Sequence, residues 1–242
     1  METTTFKVEN LIIRTMKNKQ LLFYFSALII MLLSGCGNSA EDSGSISEGV
    51  ILYDAKPLDL GHPFAAYAPS KMTVKFKNNN FYAYMSAGMG ALTASFISNP
   101  EKRTFTQVIR LFSDKYFVLL NEDDIKKENQ LSEMDIEPTK ETKIIAGYNC
   151  KKAVIHLKGE EASEYDIYYT NEINVKNSNF SNPYFKLDGV LMEYRMRKFG
   201  LEMQFTATAI KHEEVDDATF DVPDNCEQIT QEELTNKLKD FE

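Results

Sequence analysis

Alternation of apolar and polar positions dominates the chain from about residue 70 onward, the pattern of strands with one buried face. Met72, Val74 and Phe76 point one way and Thr73, Lys75 and Lys77 the other; Asn78-Asn79-Asn80 then reads as a turn, and Phe81 to Ala87 returns. Three further hairpins follow the same logic. Thr104 to Phe112 and Tyr116 to Leu120 flank Ser113-Asp114-Lys115, Cys150 to Lys158 and Glu164 to Thr170 flank Gly159-Glu160-Glu161, and Val190 to Lys198 and Gly200 to Lys211 turn near Phe199-Gly200. Helical signals are sparse. Thr230-Gln231-Glu232-Glu233 is a capping box ahead of Leu234, Leu238 and Phe241, and Asp123 to Leu131 is a weaker helix that Glu137-Pro138 separates from the next strand. The expected fold is mainly β: a single curved antiparallel sheet, a half-open barrel of about ten strands, with two or three short helices.

A different pattern occupies the start. Leu21 to Leu33 is apolar except for Ser26, preceded by Lys17 and Lys19 and followed by Leu33-Ser34-Gly35-Cys36. At about 1.5 Å per residue this run covers roughly 20 Å, short of a bilayer core of about 30 Å, so it reads as a signal peptide and not a membrane span. Its end resembles the lipobox of bacterial lipoproteins, which implies cleavage before Cys36 and acylation of its thiol. The expected organisation is a signal peptide over 1–35, an acidic Ser/Gly-rich tether over 36–49, and a β-rich domain over 50–242. Met16-Lys17-Asn18-Lys19-Gln20 opens a tighter signal than Met1 does, so translation is expected to start at either methionine. Gly37 after the cysteine implies outer-membrane sorting, with the membrane as partner through the acyl chains. Cys36→Ala is expected to move the protein from the membrane to the soluble fraction on cell fractionation; unchanged membrane retention would refute the lipobox.

Composition narrows the function classes. The 242 residues carry 27 Lys+Arg against 36 Asp+Glu, a net charge of −9, with 43% hydrophobic and 26% charged residues. That is ordinary globular usage, and a net acidic chain without a basic run argues against nucleic acid as a partner. Removal of residues 1–35 takes away more basic than acidic groups, leaving the remainder more acidic still.

Candidate chemistry is thin. His62, His156 and His212 have no metal-ligand spacing, and His212-Glu213-Glu214-Val215-Asp216 lacks the second histidine of a zinc protease. Gly88-Met89-Gly90 lacks the context of a phosphate loop and reads as a bend between strands. No catalytic set, metal site or cofactor is expected. With Cys36 acylated, Cys150 and Cys226 remain; in an oxidising compartment they either form a disulfide worth about 2–4 kcal/mol or stay as separate buried thiols. Met192, Tyr194 and Met196 share a strand face beside Met203 and Phe205. Such adaptable side chains suit either a lining for an irregular apolar ligand or plain core packing.

Residues 145–153 (Ile-Ala-Gly-Tyr-Asn-Cys-Lys-Lys-Ala), Tyr165 to Thr170, and the tail Val215 to Pro223 with its Thr230 helix together resemble an uncharacterised family of bacterial envelope lipoproteins. The resemblance covers roughly residues 140–235 and departs at Cys226, where the family tail usually has an aromatic residue. It implies the lipoprotein-carrier fold of LolA, LolB and LppX-like proteins. A non-enzymatic lipoprotein that holds a lipid or other apolar ligand is the function so implied. The alternative is a lipid-tethered interaction, scaffold or stress-sensing module with a solid core.

Overall fold

A computed structural model describes residues 46–130, 134–159, 163–198 and 200–239. They form one twelve-stranded sheet with two α-helices and short 3₁₀ turns. The strands are β1 (Glu48–Pro57), β2 (Lys71–Lys77), β3 (Asn80–Ala87), β4 (Leu92–Asn99), β5 (Thr104–Leu111), β6 (Asp114–Leu120), β7 (Met134–Ile145), β8 (Tyr148–Leu157), β9 (Glu164–Thr170), β10 (Val190–Lys198), β11 (Leu201–Lys211) and β12 (Glu227–Gln228). Helix α1 is Glu122–Gln130 and α2 is Gln231–Lys239. The spatial order is β12-β6-β5-β4-β3-β2-β1-β11-β10-β9-β8-β7. The sheet therefore ends on two edges and does not close into a barrel.

Local chemistry explains the turns. Asn78 and Asn79 both take left-handed φ values, 50° and 65°, as a two-residue hairpin with matching twist requires. Ala146-Gly147 does the same between β7 and β8. Asn121 caps α1 by accepting from the Asp123 and Asp124 amides at 2.9 and 3.1 Å, and the Thr230–Glu233 capping box forms reciprocally at 2.8 and 3.2 Å.

Three expectations need correction. Twelve strands form, not about ten, and the β6–β12 pair is parallel, so the sheet is not wholly antiparallel. Pro138 does not separate a helix from a strand; it lies inside β7, an edge strand where a register shift between Pro138 and Thr142 absorbs its missing donor. β1 begins at Glu48, and Ile46 just before it bridges Ile173.

The sheet is strongly curved. β5 and β10 lie six positions apart, which on a flat sheet is about 29 Å at about 4.8 Å per strand. Yet the Lys198 ammonium, at the end of β10, sits 5.5 Å from the Phe105 ring on β5. Two apolar clusters fill the hollow face. The larger joins β1, β2 and β7–β11 around Ile51, Phe76, Ile155, Ile167 and Met192. The smaller packs α1 and α2 onto β5 and β6 through Phe105, Ile109, Val118, Ile125 and Leu234.

At the other end His156 bridges two carboxylates across the strands, Nδ1 to Glu164 at 2.8 Å and Nε2 to Glu137 at 3.2 Å. The Glu164 bond first and the Glu137 bond second hold its pKa above the ordinary value. A raised folded pKa means the stabilisation is complete below the ordinary pKa of about 6.5 and is lost as pH rises through the folded value. Wild type is therefore expected to lose more thermal stability than His156→Gln when melts at about pH 6 and about pH 8 are compared; parallel melts would exclude the linkage.

Candidate functional site

Two concavities stand out among the described residues. The first is an apolar cavity of about 260 Å³ between the hollow face, the 178–182 segment and the end of α2. Tyr194 forms its centre. Its ring stacks on Phe205 at 5.3 Å and meets Tyr53 and Tyr184 edge-on at 6.1 and 6.2 Å. The Tyr53 hydroxyl donates to the Leu191 carbonyl at 2.7 Å and the Tyr184 hydroxyl to the Arg195 carbonyl at 2.6 Å. Burial raises the pKa of all three tyrosines, and Tyr53 and Tyr184 act as neutral donors.

Of the five residues expected to line such a space, Tyr194, Met196, Met203 and Phe205 do. Met192 does not. A register irregularity between Leu191 and Glu193 interrupts the alternation, so Val190 and Leu191 line the cavity while Met192 is fully buried in the core beside it.

Of the two states open to the thiols, the structure has the separate one. Cys150 and Cys226 are free thiols: Cys150 is buried on β8, and Cys226 is half-buried just before β12. Those strands stand near opposite ends of the sheet order, which is why no disulfide joins them. Burial pushes the Cys150 thiol up to about 11, leaving it protonated and inert at neutral pH. Cys36 and residues 1–35, the expected signal peptide, lie outside the described residues, as does Phe241.

The histidines do not converge. His156 has the carboxylate pair above, His212 lies 3.4 Å from the Tyr148 hydroxyl, and His62 packs near Gly200. Among the described residues no group of three His, Cys, Asp or Glu side chains is arranged to hold a metal ion, and no helix is long and apolar enough to cross a membrane.

The second concavity is a cleft of about 650 Å³ with a mixed lining, in which polar side chains stand beside Pro100, Ile125, Phe180 and Leu187. One wall is α1 with the β4–β5 turn, contributing Arg103, Glu122, Lys126, Asn129 and Gln130; the other is the 177–188 segment, contributing Asn177, Phe185, Lys186 and Asp188. Glu122 bonds Arg103 and, at 2.9 Å, Lys126; those two cations hold its carboxyl below the usual range, the Lys126 bond first. The opposite wall has no helix or strand, yet it is pinned. The Asn179 amide, itself buried, donates to the Leu187 and Gly189 carbonyls at 2.9 Å each, and the Ser178 hydroxyl donates to Gly189 at 2.7 Å. The Asn79 side chain accepts from the Lys176 amide at 2.7 Å, tying this wall to the β2–β3 turn. Periodicity could not reveal this cleft, because its walls come from three separated stretches. The one available signal was the run of asparagines at 174, 177, 179 and 182, which marks a loop closed by side-chain-to-backbone bonds.

The family model for the N-glycanase peptide N-terminal domain matches residues 87–237, from the end of β3 into α2. No curated protein matches the chain. The match overturns the resemblance to the LolA, LolB and LppX-like lipoprotein carriers, and with it the lipid-carrying function that the resemblance implied. The motifs behind that resemblance were a turn, a β pair and a helix cap, which many β-rich domains share. Because the matched span is more than half of the chain and contains both walls of the cleft, this protein belongs to the N-glycanase N-terminal domain family.

Proposed function

We propose that the chain is a non-catalytic accessory module for N-glycan processing, engaging N-glycosylated protein and held at the cell envelope through Cys36. The observation that carries this reading is the family match over residues 87–237. The cleft within that span supports it, since its volume lies in the range of small-ligand sites, about 300–1,000 Å³. The pinned 177–188 wall supports it further, because a pre-ordered surface loses less entropy on binding.

The test uses the purified chain and one N-glycoprotein in native and enzymatically deglycosylated forms. Expected are preferential retention of the glycosylated form and no change in its mass on prolonged incubation. Equal retention of both forms would overturn the recognition role, and release of the glycan would overturn the non-catalytic one.

A further inference from the structure

We infer that the cleft between α1 and the 177–188 segment is a binding subsite for a neutral oligosaccharide, with the Phe185 ring as its stacking platform. The inference rests on the glycan-directed reading above and assigns it a place. Phe185 is a large apolar side chain left 49% exposed at the cleft. Its backbone is fixed by a 3.2 Å bond from its amide to the Asn182 carbonyl, and the next residue but one, Leu187, is anchored by Asn179. The Lys186 ammonium lies 5.8 Å from the ring centroid; a half-exposed ring on a pinned backbone still offers apolar surface at little entropic cost, which matches the C–H face of a pyranose.

The polar lining matches the other half of such a ligand. Sugar hydroxyls both donate and accept. The cleft supplies acceptors at Asp188, donors at Lys186, and amides that do both at Asn177 and Gln130. Three cations (Arg103, Lys126 and Lys186) and two carboxylates (Glu122 and Asp188) line the cleft. Glu122 already engages both Arg103 and Lys126. A phosphate or sulfate would have to displace Glu122 from its partners, whereas a neutral polyol need not.

Full-length protein is titrated with three probes: a synthetic N-glycopeptide, its oligosaccharide released, and the peptide without glycan. The first two are expected to bind and the third not. Phe185→Ala is expected to weaken both sugar-bearing probes at least fivefold, Asp188→Asn at least threefold, and Phe185→Trp to retain binding. Because both side chains are exposed, thermal melts of the variants should superimpose on wild type. Sugar binding that all three variants leave unchanged would overturn the subsite while the accessory-module reading stands. Failure of wild type to bind either sugar-bearing probe would overturn both.

Discussion

Tyr184→Ala is expected to destabilise the domain by about 3–5 kcal/mol, the range for removing a large buried aromatic side chain. Tyr184 is 1% exposed although it lies in a segment without regular structure. Its ring packs edge-on to Tyr194 while its hydroxyl donates to the Arg195 carbonyl and meets the Tyr165 hydroxyl at 3.0 Å. It therefore nails the 171–189 loop to the hollow face of the sheet, one residue before Phe185. Truncation leaves a void and strands buried polar groups. Tyr184→Phe keeps the ring and should cost only about 1 kcal/mol, the typical net worth of one hydrogen bond. Urea denaturation gives the check: a large drop in midpoint for the alanine variant, a small one for phenylalanine, and similar slopes. An alanine variant as stable as the phenylalanine one would show that the loop is not held by this ring.

Gly189→Ala is the second large effect, expected at about 2–5 kcal/mol from backbone strain and overpacking together. Gly189 has a φ of +125°, and a Cβ there would lie 2.8 Å from the Thr170 carbonyl oxygen and 2.9 Å from the Tyr169 ring. The first neighbour is backbone of the paired strand, so it cannot swing aside. The Gly189 carbonyl is also the shared acceptor for Ser178 and Asn179, so a shift here loosens the cleft wall. Gly147→Ala serves as the comparison, with φ of +88° and nothing within 4 Å of the added carbon. It should cost about 1–3 kcal/mol, from strain alone. Equal midpoints for the two variants would mean that the close contact at Gly189 relaxes without cost.

Much of the sheet was legible because burial of one face imposes period two. Met72, Val74 and Phe76 are all buried, as are Leu201, Met203, Phe205 and Ala207. The α2 start was legible because a capping box is purely local chemistry. Pro138 misled, because whether a strand tolerates proline depends on its lying at the sheet edge, which is a property of topology. Met192 misled because a register irregularity changes which residues face the hollow, and no local residue pattern announces it. The cleft was illegible for a third reason: its walls come from separated stretches that meet only on folding, where the Asn129 amide reaches the Phe180 carbonyl at 3.5 Å. The family was misjudged from Ala146-Gly147 and Thr230-Gln231-Glu232-Glu233, segments whose job is geometric and whose residue types carry no ligand chemistry.

The strand order has one more consequence. Strands β1 to β6 run consecutively across half of the sheet and β7 to β11 across the other half, and the strand pairing that joins these two runs is β1 with β11. The Thr208 hydroxyl bonding the Leu52 carbonyl there joins positions 156 residues apart. A polypeptide trimmed to the matched span of residues 87–237 would lack β1, β2 and nearly all of β3, leaving β4 and β11 as raw neighbours of a three-strand gap. The boundary of family similarity is thus not the boundary of a folding unit. During synthesis the first six strands must wait, with the open side of β1 unpaired, until β11 has left the ribosome.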